Sequence, residues 1–202
     1  IPVFYAGDHP AIDGFRSEFY FSHPSQIKFF KESIPDGLKL FKDIFGYIPR
    51  AFAPSNGVFH PQLERMISEE GVKYLNVNHF NLVPDGQGGL KSKYYPIGRT
   101  TSFGLTYYTR NCAFEPSDSR YRGVESTLKQ INAAFKLRKP AIISTHRINF
   151  VGGISPLNRE QGLRELKFLL LSILKKWPDT EFMSTGEFIN KDNELDQFFR
   201  TA

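Results

Sequence analysis

Short runs of β-forming residues alternate along this chain with stretches whose apolar residues recur at helical spacing. In the first such stretch, over residues 25–45, apolar side chains recur close to the 3.6-residue period of an α-helix. Gly46 follows as a helix stop signal, and Pro35 leaves two interpretations, one long helix or two shorter ones. The clearest strand is predicted over residues 140–145 and the last long helix over residues 158–176. This alternation predicts an α/β fold with a mostly parallel sheet.

The other elements are predicted from the same two periodicities. Further strands are expected at 50–54, 72–77, 105–114 and 181–185, and further helices at 61–70 and 121–137. Asn158 is the candidate N-cap of the last long helix. The segment 81–102 is rich in turn-forming residues, so it is predicted to be a long loop with room for a short hairpin.

Length and composition favour one ordinary globular domain. The 202 residues, of which 40% are hydrophobic, can bury roughly 70% of the surface that the unfolded chain exposes. We therefore expect a single domain over residues 1–202. The lone Cys112 cannot form an internal disulfide and is predicted to be a small core residue. The longest apolar run, 168–171, is far shorter than the roughly 20 residues of a membrane span, so no transmembrane helix is expected.

The charge pattern and the N-terminal residues indicate which kinds of partner and which compartment to expect. The net charge is +5, but no run of five or six basic residues occurs, which favours a solvated surface over a nucleic-acid site. Residues 1–5 have neither an initiator Met nor the basic region of a signal peptide, which predicts that the chain continues upstream. The compartment stays open, with the cytoplasm favoured, and the oligomeric state is not addressed by the sequence.

Polar residues that follow predicted strands are the candidate site residues, because parallel α/β folds bind ligands at the carboxyl ends of their strands. The rule selects Ser55, Asn56, Gly57, Asn76, Asn78, Arg110, Asn111, Glu115, His146, Arg147 and Asn149. His146 directly follows the clearest strand, where an imidazole can act as a general acid or base. An equally supported interpretation is a structural histidine that caps the sheet. Arg147 is either an anion-binding group or a surface arginine.

Arg110, Asn111 and Glu115 lie close together at the end of another predicted strand. A cation, an amide and a carboxylate within six residues suit a polar ligand such as a sugar. An ion pair between Arg110 and Glu115 that fixes a loop explains the same residues. No two-histidine metal spacing occurs at His60, at His79 or around residues 8–13, so no metal ligands are assigned.

Five segments resemble the polysaccharide deacetylase superfamily, and more closely the deacetylase-like proteins of bacterial surface-polysaccharide loci. They are residues 37–47, 52–57, 110–116, 139–150 and 176–183. The resemblance extends over about residues 11–189, and its most specific parts are the segment with His146 and the Trp177-Pro178-Asp179 segment. It implies a distorted or incomplete (β/α) barrel that removes acetyl groups from a glycan by metal-assisted hydrolysis. In such enzymes a zinc-like divalent metal holds the attacking water, and a late-strand histidine, matched by His146, protonates the leaving group.

The chain also departs from that family pattern. The Thr-Phe-Asp-Asp-Gly motif and the histidine pair are missing, and Ala53 stands where the third motif often has an arginine. A complete (β/α) barrel usually needs about 250 residues, so this chain is expected to be the C-terminal portion of a longer barrel. His146 is then the general acid. The predicted substrate-binding residues are Asn56, Arg110, Asn111, Glu115, Arg147 and Asn149. The alternative is a glycan-binding or scaffolding domain that has lost the metal centre.

Overall fold

The computed structural model of the protein describes residues 18–153 and 155–191. Strands β1 to β7 are Ala51–Phe52, Tyr74–Asn78, Phe80–Pro84, Leu90–Tyr94, Thr106–Arg110, Cys112–Ala113 and Ile143–Ser144. Helices α1 to α5 are Ile27–Phe45, Glu64–Glu69, Val124–Lys136, Pro156–Lys176 and Thr185–Asn190. Four short 3-10 turns lie at Pro24–Gln26, Ser55–Gly57, Pro61–Leu63 and Arg147–Asn149. The chain divides into two compact units, of which the first ends at Thr109 and the second begins at Arg110.

The first unit contains a three-stranded sheet of order β1-β2-β5 and the β3–β4 hairpin. Strands β1 and β2 are parallel, and β3 and β4 are antiparallel with Phe80 opposite Tyr94. The core of this unit contains the fully buried Phe59, Leu63 and Leu75. Helix α1 adds its own apolar stripe to the same core. Asn76 and Asn78 of β2 are half-buried beside this core.

Helix α1 confirms the interpretation of one long helix. It runs without a break through Pro35, although proline inside a helix costs about 3 kcal/mol. Burial of Phe30, Ile34 and Leu38, one helical turn apart, offsets that cost. Gly46 ends the helix as predicted, at a left-handed φ of 80°, and its N–H donates to the carbonyl oxygen of Lys42.

The second unit is built on the parallel pair of β6 and β7. Cys112 lies opposite Ile143, and Ala113 lies opposite Ser144. Helices α3 and α4 cover this pair with a core that includes Ile131 and Leu169. Cys112 is buried in that core as predicted, and burial raises the pKa of its thiol to about 12.

Three sequence predictions about local structure are corrected. The short hairpin that the sequence allowed in segment 81–102 is present, and the long loop predicted there is wrong, because Asp85 accepts the N–H groups of Gln87 and Gly89 and so closes a turn between β3 and β4. The predicted strand over 181–185 is wrong, since Ser184 and Glu187 form a capping box that starts α5. Helix α4 begins at Pro156 with Ser155 as its N-cap, so Asn158 lies inside the helix.

The described residues form a mixed α/β structure with three small sheets. No helix within 18–153 or 155–191 has both the length and the apolar content to cross a membrane. The distorted (β/α) barrel and the single domain over residues 1–202 stay predictions.

Candidate functional site

Strand register brings Glu115 and His146 together in the second unit. Ala113 and Ser144 are partners in the parallel β6–β7 pair, and Glu115 and His146 each lie two residues further along. Both side chains therefore leave the same edge of the sheet, as the carboxyl-end rule requires. Nδ1 of His146 lies 2.7 Å from Oε1 of Glu115. This contact is called the Glu115–His146 pair below.

Asn149 supports the pair from within the protein. The 3-10 turn Arg147–Asn149 begins directly after His146 and carries Asn149 into a fully buried position. There its Nδ2 donates to Oε2 of Glu115 at 2.9 Å and to the carbonyl oxygen of His146 at 2.9 Å. Its Oδ1 accepts the backbone N–H of Ser117 at 2.9 Å. Asn149 therefore holds the Glu115 carboxylate against the turn that begins after His146.

The two members of the pair differ sharply in exposure. The Glu115 side chain is 19% exposed, whereas the His146 side chain is 72% exposed. An ionised carboxylate only accepts hydrogen bonds, so Nδ1 of His146 carries the shared proton. In this tautomer Nε2 is the acceptor nitrogen, and it makes no hydrogen bond to any residue of the described ranges. The ring is thus held at one nitrogen and available at the other.

This arrangement can take up and deliver a proton. A proton that reaches Nε2 converts the ring to imidazolium, and the adjacent carboxylate stabilises that charge. The same hydrogen bond fixes the orientation of the ring, as a carboxylate does in a catalytic triad. The site therefore has the parts of a general acid and base that acts on a ligand at the protein surface.

The other predicted residues of the second unit have different surroundings. Asn111 uses both ends of its amide on backbone groups, since Nδ2 donates to the Pro140 carbonyl at 2.9 Å and Oδ1 accepts the Ile142 N–H at 2.7 Å. These bonds tie the start of β6 to the segment before β7, which is a structural role. Arg110 ends β5, and its Nε is buried without a hydrogen-bond partner among the described residues. Arg147 is exposed. Substrate binding by Asn111, Arg110 and Arg147 stays a prediction.

Asn56 lies in the first unit, in the Ser55–Gly57 turn, with a left-handed φ of 50°. Of the predicted site residues, the structure brings three into direct contact, namely Glu115, His146 and Asn149.

A comparison with known protein families matches this chain to the model of glycosyl hydrolase family 57 over residues 18–131. That match extends over more than half of the 202 residues. The chain belongs to glycosyl hydrolase family 57. Searches of curated proteins and of solved structures gave no match. Family 57 membership supports a carbohydrate-active, hydrolase-like domain with a carbohydrate substrate. The family match includes Glu115 and ends before His146.

The family 57 match also contains a buried carboxylate that the sequence analysis did not select. Glu64 is 3% exposed, and its Oε1 accepts from the hydroxyl of Tyr95 at 2.9 Å and from Nζ of Lys93 at 3.1 Å. Its Oε2 accepts from the hydroxyl of Tyr107 at 2.8 Å. Burial and the carboxylate both raise the pKa of the two phenols. Three donors satisfy this carboxylate, and no sequence signal distinguishes it from a surface charge on a short helix.

The described side chains do not fit a metal centre. No group of three or more His, Cys, Asp or Glu side chains comes together within 18–153 and 155–191 as metal ligands do. The ring of His79 lies in the first unit, stacked on Tyr94. Asp8, His9 and Asp13 lie outside the described residues. The zinc-like metal implied by the deacetylase resemblance stays a prediction.

Proposed function

We propose that this family 57 chain removes acetyl groups from a bacterial polysaccharide, with His146 as the group that protonates the leaving atom. The observation that carries the proposal is the Glu115–His146 pair, in which a nearly enclosed carboxylate fixes one nitrogen of an exposed imidazole. The resemblance of residues 139–150 to the late-strand segment of polysaccharide deacetylases supports the same role for His146.

In acetyl hydrolysis, a water oxygen forms a bond to the carbonyl carbon and the bond from that carbon to the sugar nitrogen or oxygen breaks. Nε2 of His146 takes one proton from the attacking water, and the resulting imidazolium gives that proton to the leaving nitrogen or oxygen. The acid product loses the second water proton to solvent and is released as acetate. Glu115 stabilises the imidazolium before transfer and keeps Nδ1 protonated after it. Asn149 prevents the carboxylate from turning away, because it holds Oε2 while His146 holds Oε1.

Cleavage of a glycosidic bond is the second candidate, because the matching family is one of glycosyl hydrolases. Most such enzymes place two carboxyl groups across the scissile bond. Glu115 instead bonds directly to His146 and Asn149. This bond to an imidazole, together with the resemblance of residues 139–150 to polysaccharide deacetylases, favours acetyl removal.

The test measures acetate and new reducing ends in the same reactions, using the complete protein with chitohexaose and with acetylated xylan. We expect acetate release without new reducing ends. His146→Gln should lower the rate about 100-fold or more, the usual contribution of a general acid. His23→Gln is the matched control, because His23 is an exposed histidine of the first unit, and it should leave the rate unchanged.

Other results would refute the proposal. New reducing ends without acetate would establish glycosidic cleavage. Binding of these glycans with neither product would establish a glycan-binding domain without catalysis. Full acetate release by His146→Gln would remove His146 from the reaction.

A further inference from the structure

Helix α4 carries apolar side chains on two opposite sides. Leu169 and Ile173 are buried in the core of the second unit. Phe168, Leu171 and Leu174 are 54%, 57% and 44% exposed, and helical geometry places them in a sector of about 120° centred on the side away from Leu169 and Ile173. These three exposed residues are called the apolar stripe. A helix needs one apolar side to cover its own core, so the second side is available to a partner.

A basic groove adjoins the apolar stripe. Helices α3 and α4 border a groove of about 560 Å³ that is lined by Lys129, Lys175 and Lys176. Its other lining residues are Glu125, Leu128, Asn132 and Ser172. Lys175 lies one helical turn beyond Leu171, so the groove and the apolar stripe meet on the same part of α4. Three ammonium groups against one carboxylate favour an anionic ligand in this groove.

The charge around the apolar stripe distinguishes α4 from the other long helix. Over residues 166–176, α4 contains three lysines and no acidic residue. Helix α1 also exposes apolar side chains near its C-terminus, at Leu40 and Ile44, but Lys39 beside them is paired with Asp43 at 2.6 Å. The helix dipole accounts for lysines in a last turn, but it does not account for exposed apolar side chains next to them. Helix α4 therefore combines an apolar surface with an unbalanced positive charge.

We propose that the C-terminal half of α4 and the basic groove dock on an anionic membrane surface. A helix that lies on such a surface places Phe and Leu side chains at the boundary between headgroups and acyl chains, while its Lys side chains reach the headgroups. The apolar stripe provides the first contact, and Lys175 with its neighbours in the groove provides the second. Ammonium, amide and hydroxyl groups all donate hydrogen bonds, so the groove suits the phosphate of one headgroup. This docking uses other residues than the Glu115–His146 pair and does not depend on the proposed function.

Co-sedimentation of the complete protein with sucrose-loaded vesicles tests the docking surface. Vesicles of phosphatidylcholine with about 30% phosphatidylglycerol carry a negative surface and should bind the protein, whereas pure phosphatidylcholine vesicles should bind it far less. Leu171→Gln should weaken binding about tenfold, because a leucine no longer leaves water for the interface. Lys175→Gln should weaken it about fivefold, which corresponds to about 1 kcal/mol for one lysine near the surface. Raising NaCl to about 1 M should also weaken binding, because it shortens the screening length to about 3 Å.

Two variants of α1 are the matched controls. Leu40→Gln changes a leucine of similar exposure, 59%. Lys42→Gln removes a lysine from the last turn of α1, as Lys175→Gln does from α4, so both lose the same interaction with a helix dipole. Both control variants should bind anionic vesicles as tightly as the unaltered protein. The four altered side chains are exposed, so urea unfolding should show that every variant is folded.

Several results would overturn the docking surface. They are no binding to anionic vesicles, equal binding to neutral ones, and unchanged binding by both α4 variants. Calorimetric binding of glycerol phosphate without vesicle binding would establish a site for small anions instead. A dimer in sedimentation velocity that Leu171→Gln disperses, without vesicle binding, would show that the apolar stripe meets a second copy of the chain. Vesicle binding that depends on Leu171 and Lys175, in a protein that releases no acetate, would support the docking surface and refute the proposed function alone.

Discussion

Gly162 holds the turn that carries the candidate site, and Gly162→Ala tests this directly. Gly162 is buried in α4, and a Cβ at this position would overlap the carbonyl oxygen of Asn149 and stand 2.9 Å from its carbonyl carbon. Optimal contacts between carbon atoms lie at about 3.5–4.0 Å. The turn must therefore retreat from the helix by at least about 1 Å, because the overlap with the carbonyl oxygen is tighter than the contact with the carbon. Asn149 moves with it, and so do its bonds to Glu115 and to the His146 carbonyl.

Two opposing effects determine the stability of Gly162→Ala. Overpacking costs about 1–3 kcal/mol, while alanine improves helix propensity by about 1 kcal/mol. Because the atoms that the Cβ meets belong to the backbone, the overpacking cost should lie at the upper end of this range, and the net loss of unfolding free energy should be about 2 kcal/mol or more. Activity should suffer more, since a misplacement of about 1 Å can cost about 100-fold in rate. The loss should appear in kcat with little change in KM.

Gly37→Ala is the matched control for this experiment. Gly37 also lies inside a long helix, α1, but a Cβ there would meet nothing within 4 Å. This variant should gain about 1 kcal/mol of stability from helix propensity alone and keep its acetate release. Urea unfolding and acetate assays of both variants give the comparison. Full activity in folded Gly162→Ala would refute the argument that α4 positions Asn149.

Two further predictions concern buried groups away from the Glu115–His146 pair. Glu64→Gln removes the charge that, together with burial, raises the pKa of Tyr95 and Tyr107. In ultraviolet titration the variant should therefore form phenolate at a lower pH than the unaltered protein does. An unchanged titration would contradict the described contacts. Burial raises the pKa of the Cys112 thiol from 9.0 to about 12 in the folded protein. As pH rises, the thiol therefore ionises in the unfolded chain first. The free energy of unfolding should fall between about pH 9 and pH 12. Rapid iodoacetamide alkylation of the folded protein at pH 8 would contradict this burial.

The pairing of Glu115 and His146 could be anticipated from the sequence in part. Both residues follow predicted strands, and parallel strands present their carboxyl ends at one edge. The register that sets them opposite each other is a property of the folded sheet, in which Ala113 pairs with Ser144. Helix α1 was predictable for a local reason, since its apolar period and Gly46 lie within one segment.

The remaining features depend on contacts between distant residues. Asn149 was selected as a substrate-binding residue, but its buried amide bonds to Glu115 and Ser117 follow from a turn packed against α4. Glu64 meets its phenols across 31 and 43 residues of sequence. The β-forming residues at 181–185 do not form a strand, because the side-chain bonds of the Ser184 capping box to the backbone compete with strand pairing.

A double-mutant cycle on acetate release tests the central claim most directly. The rates of Glu115→Gln, His146→Gln and the double variant are measured on the complete protein with chitohexaose and acetylated xylan. If the two side chains act as one unit, each single variant should lose about 100-fold in kcat or more, and the double variant should lose no more than the worse single one. Losses that multiply, or full activity in either single variant, would contradict the role of the Glu115–His146 pair.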